Sequence, residues 1–509
     1  TYRNNEVDDS HPLNRVMNKV HSCSLRIEDI HIQPLEWDSV RRLLGKFLRL
    51  GIEHVDSLSR IVYSKTNGNP FFINQFMKRL YEKNLLSVDS NGEWKWDEQS
   101  ISEMQVTDNV VDLMVQKIRD IPEGAQEVLK IAACTGNRFD LETMCIVKDS
   151  SPEQVLEQMQ DALDAGLVYF NQDMCHFLHD RIQEAAYSLL SEEERSKLHY
   201  TIGSYIYQNT AKQDLRNRIF YIVNQLDAGS LEIESHDEKL EIARLNLLAG
   251  SKAQDSAAYH SALSYFRAGI SLLEDSDWEG NYDLARELYQ SAAQASYLDA
   301  EFSGMENYLQ ELLSRCQDLL DRSRAYEIRI QAYMSQNRLK KAALTTKQVL
   351  SSLGVKLPEK ISKRKIATEM YRTKLLLRKK TLQDIKNHYY MQDPYSRASI
   401  RIATSAGSAF YVGGYTEDII LIVLKMVRLF LHQGVTPEIS FWFSCYTMVL
   451  HPLNQLEDAF KYSDLALDLR QILSIREIRS KYVIYAYIQH WRDHLRNSLD
   501  MLLDIYHSG

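Results

Sequence analysis

Apolar residues recur at helical spacing along most of this chain, and the departures are short and local. Near the start, residues 24–32 alternate apolar and polar positions, which predicts a strand. Helical spacing then runs over 34–44, 55–64 and 71–83, followed by a hairpin over 85–97, with Trp94 and Trp96 beside an Asn91-Gly92 turn. The loop Thr66-Asn-Gly-Asn-Pro70 opens directly into the third helix. Gly68 supplies backbone angles that other residues avoid, Pro70 pre-sets φ for the first helical turn, and Asn69 is the expected N-cap. Phe72, Phe76 and Leu80, with Ile73 beside them, should form the buried face.

The pattern changes after residue 106. Thr107-Asp-Asn caps a helix through Ile118, Pro122 begins a second ending near Gly136, and 141–147 is a third. Ser151 caps a fourth through Ala165, and two short strands, 166–170 and 174–177, flank a turn at 171–173. Helices followed by a small β wing predict a winged-helix domain. From about 195 onward nearly everything is helical. Breaks near Tyr259, Phe302 and Leu339, and again near Tyr415, Leu456 and Leu495, recur about 40 residues apart with small residues between them. That period predicts paired helices in a tetratricopeptide-like solenoid, with an irregular helical bundle as the alternative. Residues 356–395 interrupt it with a basic run from Lys356 to Lys380, read either as a solvated helix face or as a docking surface for an acidic partner.

Composition narrows the classes. At 509 residues the chain exceeds one core and should hold two to four domains, and 19 Gly with 9 Pro leave little room for turn-rich β architecture. A net charge of -9 gives no reason to expect nucleic acid as a partner. The six cysteines are scattered without a C-x-x-C pair, as buried thiols in a reducing, cytoplasmic compartment would be. The most apolar run, 419–424, stops at Lys425 and falls far short of the roughly 20 residues needed to span a bilayer, so no membrane insertion is expected. The polar start without an initiator Met suggests a piece of a longer protein.

No catalytic set is present. Gly45-Lys46 precedes Phe47 rather than Ser or Thr, so it is not a phosphate loop, and no zinc or nucleophile-elbow motif occurs. His179-Asp180-Arg181 has the kinase triplet in the wrong order. Catalytic and metal-binding residues are therefore expected to be absent, and whether an intact parent is an enzyme stays open.

Three short pieces, taken in order, resemble the parts of an ATP site that follow its phosphate loop. They are Thr1-Tyr-Arg3, Gly68-Asn-Pro70 and Phe177-Leu-His-Asp180. Together with Thr107-Asp-Asn-Val-Val111 and the run Phe177 to Tyr187, they are similar to the nucleotide module of STAND-class, AAA+-related signalling ATPases. More narrowly, they resemble large proteins that join a serine/threonine kinase, this module, helical repeats, a GAF domain and a sensor histidine kinase. The resemblance implies that Arg3 reaches a γ-phosphate, where a planar, permanently charged fork suits the task. It implies that Pro70, held by Gly68 and Asn69, packs on adenine, and that His179 contacts the β-phosphate of ADP. Read from the residues alone, Arg3 is equally a surface arginine, Pro70 a helix starter and His179 a core histidine capping its helix.

The expected architecture is mainly α. Residues 1–105 would be the C-terminal part and lid of the ATPase module, and 106–194 a winged helix. Residues 195–355 would be repeats, 356–395 the basic interruption, and 396–509 further repeats. ATP or ADP would bind only with the missing N-terminal half, not tightly to this chain, and a protein or peptide would bind the solenoid. The implied role is a regulatory switch in a multidomain kinase. The alternatives are a non-catalytic scaffold, or the same switch driving a nucleotide cyclase or a transcription regulator.

Overall fold

In a computed structural model, residues 30–90, 92–103, 110–171, 174–358, 360–386 and 389–508 are described. They are mainly helical, and the chain divides after Leu198 into two compact units. Arg3, the Thr107 cap and most of the expected 24–32 strand lie outside the described residues. The described end of that strand, 30–32, is irregular, and Ile30 and Ile32 are exposed.

In the first unit, α1 (Trp37–Leu48), α2 (Asp56–Thr66) and α3 (Pro70–Glu82) pack with β1 (Leu86–Val88) and β2 (Trp94–Trp96). Helix α1 starts three residues later than expected. Leu35 N–H donates to Gly68 O at 2.8 Å, which holds 34–36 extended. The hairpin pairs Leu86 with Trp96 and Val88 with Trp94. The short helix α4 (Glu98–Glu103) closes this core, with Ile101 buried.

A second core gathers α5 (Val110–Arg119), α6 (Glu123–Thr135), α7 (Leu141–Lys148), α8 (Pro152–Asp164) and α9 (Asp180–Ser188). Ser151 and Gln154 form a reciprocal capping box at the start of α8, as the sequence suggests. The strands β3 (Arg138–Phe139), β4 (Val168–Asn171) and β5 (Met174–Phe177) make an antiparallel sheet in the order β3-β5-β4. Strand β3 was missed because two residues carry no readable alternation.

The second unit begins within α10 (Glu192–Gln208) and continues through α11 (Lys212–Ala228). Five helical hairpins then follow one plan. They are α12 (His236–Asp255) with α13 (Tyr259–Ser271), and, after the short α14 (Asp277–Gly280), α15 (Tyr282–Leu298) with α16 (Phe302–Arg315). Next come α17 (Leu319–Ser335) with α18 (Leu339–Ser352), and, beyond α19 (Lys363–Arg378) and α20 (Leu382–Lys386), α21 (Pro394–Val412) with α22 (Thr416–Gln433). The fifth pair is α23 (Ile439–Leu450) with α24 (Leu456–Ile472). A further pair, α25 (Arg479–Tyr487) and α26 (Leu495–Ser508), is joined by a 3-10 turn at Gln489–Trp491.

The five pairs share a corner. Ala257, Ala300, Asn337, Gly414 and Asn454 all have φ between 56° and 74°, two residues before the second helix. The next N–H bonds back five residues, as from Glu301 to Ser296 O at 2.8 Å and from Arg338 to Tyr333 O at 2.7 Å. This is the Schellman closure, which satisfies carbonyls that a helix end would leave bare. Five of the six breaks read from sequence are these corners; the sixth, near Leu495, follows the 3-10 turn instead.

The period returns as polar ties between successive hairpins. Tyr282 donates to Asp321 at 2.7 Å across 39 residues, and Trp442 Nε1 to Thr404 Oγ1 at 2.9 Å across 38. His236 Nε2 meets Asp277 at 2.9 Å across 41.

The basic run is mostly a solvated face, its cations exposed from Lys356 to Lys379 except at half-buried Lys374. Buried Glu369 on α19 is ion-paired with Lys365 and Arg372, each at 3.3 Å, and with Arg428 of α22. Lys380 Nζ donates to Leu431 O at 2.6 Å. Part of this charge nonetheless secures an internal carboxylate and a helix end. Burial raises the thiol pKa of each of the five described cysteines, Cys134 and Cys445 to about 12. Among the described residues, no helix is long and apolar enough to cross a membrane.

Two alanines occupy left-handed corners where glycine would be unstrained. Ala300→Gly should raise stability by about 0.5–1 kcal/mol, the relieved strain outweighing the entropy glycine adds to the unfolded chain. Ala300→Val should lower it by at least as much. Urea unfolding of the three chains reads both signs.

Candidate functional site

Four of the five residues singled out from the sequence are described, and all lie in the first unit. Gly68 has φ +72° and is buried, and a Cβ there would stand 2.0 Å from Leu35 O. The loop is thus fixed twice, by a left-handed backbone and by a strand of chain pressed against it. Asn69 caps α3, its Oδ1 accepting from Phe71 N at 3.0 Å and Phe72 N at 3.4 Å. Pro70 occupies the first helical position with its ring exposed.

Helix α3 serves two cores, which corrects the expected buried face. Ile73, Phe76, Met77 and Leu80 point into the first core, whereas Phe72 is only half-buried. Phe71 turns the other way and packs on the second core. Its ring stacks on His179, with centroids 4.3 Å apart and planes 25° apart. The loop of α3 and the histidine at the start of α9 are thereby brought together, about 110 residues apart in sequence.

His179 is the N-cap of α9. Its Nδ1 accepts the Arg181 backbone N–H at 3.1 Å and lies 2.6 Å from Asp180 Oδ1. A neutral ring that accepts the Arg181 N–H carries its proton on Nε2, and a charged ring carries one there too. The capping role and a donor role on the other nitrogen are therefore compatible. Between α3 and α5, Lys117 Nζ donates to buried Gln75 Oε1 at 3.1 Å, and Arg79 Nη2 to Gln116 Oε1 at 2.7 Å. Burial depresses the Lys117 ammonium pKa.

The sequence reading missed a second feature. In the other unit, an apolar cavity of about 840 Å³ opens among α21, α22, α23 and α25, lined by Tyr411, Phe441, Trp442, Cys445, Tyr487 and Trp491 among others. The six come from three helices and the 3-10 turn, and only the aromatic run Phe441-Trp442-Phe443 gave any local sign of the cavity.

No family model matches the chain. It is 24% identical over 559 aligned positions to hybrid signal transduction histidine kinase G of Dictyostelium discoideum, covering 93% of this chain and 16% of that protein. It is 22% identical over 271 positions to the peroxide stress-activated histidine kinase of Schizosaccharomyces pombe, covering 51% of this chain and 11% of that protein. The chain thus spans a small fraction of the length of the curated relatives it matches. Among solved structures, a STAND protein with a tetratricopeptide repeat sensor from Pyrococcus horikoshii matches at 13% identity and a TM-score of 0.32. That alignment covers 90% of this chain and 63% of the other.

Gly68→Ala should destabilise the first unit by more than about 2 kcal/mol, since left-handed strain adds to a clash with backbone that cannot rotate away. Hydrogen exchange at the Leu35 amide, which donates to Gly68 O, should accelerate in the variant. Unchanged protection there would show that the contact is not holding the loop.

Proposed function

We propose that this chain is the regulatory half of a nucleotide-gated signalling switch, in which a lid (α1–α4) and a winged helix (α5–α9) complete an ATP site whose phosphate loop lies in the rest of the parent. The second unit would be the sensor, presenting the first helices of its hairpins (about 240–345 and 400–505) to a protein or peptide. The stacking of Phe71 on His179 carries this reading, because it joins the Gly68-Asn69-Pro70 turn to the histidine within one unit. The two histidine kinase relatives support an effector of that kind.

Mechanistically, a group that touches nucleotide in only one arrangement shifts the balance between arrangements, whereas one that touches it in both changes affinity alone. His179, donating from Nε2 to a β-phosphate, would hold the ADP-bound resting state. One charge-assisted hydrogen bond of roughly 1.5–3 kcal/mol would bias the switch by about ten- to a hundredfold. Pro70 would offer adenine a flat, donor-free wall, and Arg3 would answer only to a γ-phosphate.

The test uses the intact parent, with histidine kinase autophosphorylation as output. His179→Asn keeps an N-cap side chain while removing the imidazole, and should raise basal output with nucleotide still bound. Pro70→Ala should weaken ATP and ADP together, and Arg3→Ala only the response to ATP. If His179→Asn matches the parent while His179→Ala loses both fold and output, the histidine is a cap and the scaffold reading stands.

A further inference from the structure

Three first helices of successive hairpins, α15, α17 and α21, close around a cavity of about 370 Å³. Its lining includes Arg286, Arg324, Arg397 and Arg401, with Asp321 as its carboxylate. One further acid reaches the cluster: Glu327 Oε2 is 2.5 Å from Arg401 Nε and 3.4 Å from Arg324 Nη1, so two guanidinium groups share it. Asp321 accepts the Tyr282 hydroxyl at 2.7 Å and stands 3.6 Å from Arg286 Nε. The other partner of Arg286, Asp283 at 3.2 Å, is 89% exposed. Arg397 makes no ion pair among the described residues.

Four guanidinium groups thus face three carboxylates, Asp321, Glu327 and the exposed Asp283, leaving one cation in excess; Arg324 and Arg397 lie at the open, exposed side of the pocket. Like charges gathered in a partly dehydrated pocket repel more strongly than they would in water. The pKa of Arg324 is accordingly depressed, by burial first and then by Arg401 and Arg397. An excess of this kind is relieved by an anion.

We propose that this pocket binds the phosphoryl group of a phosphate monoester. The surplus charge favours an anion, and forks arriving from three helices suit a group with three equivalent terminal oxygens. A carboxylate offers one charge and one plane. The cavity has room for the phosphoryl group and part of its carrier. The site lies in the second unit and does not depend on the nucleotide switch, so either can fail alone.

The full chain is titrated with inorganic phosphate, O-phosphoserine and succinate at constant ionic strength made up with chloride, following the thermal midpoint and the heat of binding. Phosphate and O-phosphoserine should raise the midpoint saturably, with succinate at least about tenfold weaker. If O-phosphoserine binds tighter, a phosphorylated side chain is the source; if inorganic phosphate binds tighter, the source is free phosphate; both orders support the site. Arg397→Gln should weaken phosphate binding about tenfold or more. Its midpoint without phosphate should stay at or above that of the unsubstituted chain, because a repelling charge has gone. The double variant Arg324→Gln/Arg397→Gln should abolish the shift. The proposal is overturned if no saturable shift occurs, if succinate binds as tightly as phosphate, or if Arg397→Gln binds phosphate unchanged. A lowered Arg397→Gln midpoint in phosphate-free buffer would also overturn it, since that would make the cluster structural.

Discussion

One left-handed residue per hairpin sets the geometry of the second unit. At Ala257, Ala300, Asn337 and Gly414 the chain leaves one helix and enters the next within three residues, and at Asn454 within five. The backward hydrogen bond at each corner fixes the exit, so the second helix can only fold back along the first. Pairs formed this way bury one face against their neighbours and repeat at a nearly constant interval. Polar side chains about 40 residues apart can then meet at the joints, as Tyr282 meets Asp321. Packing and polar order both descend from a local backbone constraint.

In the first unit the equivalent constraint is the contact between Leu35 and Gly68. It fixes the loop before α3, and α3 then points two sets of side chains into two cores. A helix shared in this way couples its neighbours mechanically. Any rearrangement of the α1–α4 core against the helices that follow must deal with the Phe71–His179 stack and the bonds from Lys117 and Arg79. Interfaces of this kind pass between discrete packings rather than deforming smoothly, which is what a two-state switch requires.

Charge shows how far apart sequence and structure stand. The conspicuous basic run on α19 faces solvent for the most part, although Lys365 and Arg372 also reach buried Glu369. The four arginines of the small cavity are spread over more than a hundred residues and form no run, yet the helices gather them. Local charge density reports composition along the chain, whereas electrostatic potential depends on distances through space.

The chain's own pattern determined its helical class, the positions of its corners, the Asn69 and Ser151 caps and the strands β4 and β5. Each depends on spacing or on backbone preferences acting over a few residues. Gly68 was legible as a turn residue, and His179 as a cap, for the same reason. Only the tertiary structure decided that α1 begins at Trp37, that Phe71 rather than Phe72 faces the second core, and that strand β3 exists. It alone assembled the aromatic cavity and the arginine pocket. Those features depend on which distant segments press together, and the energy of such contacts has no periodic signature along the chain.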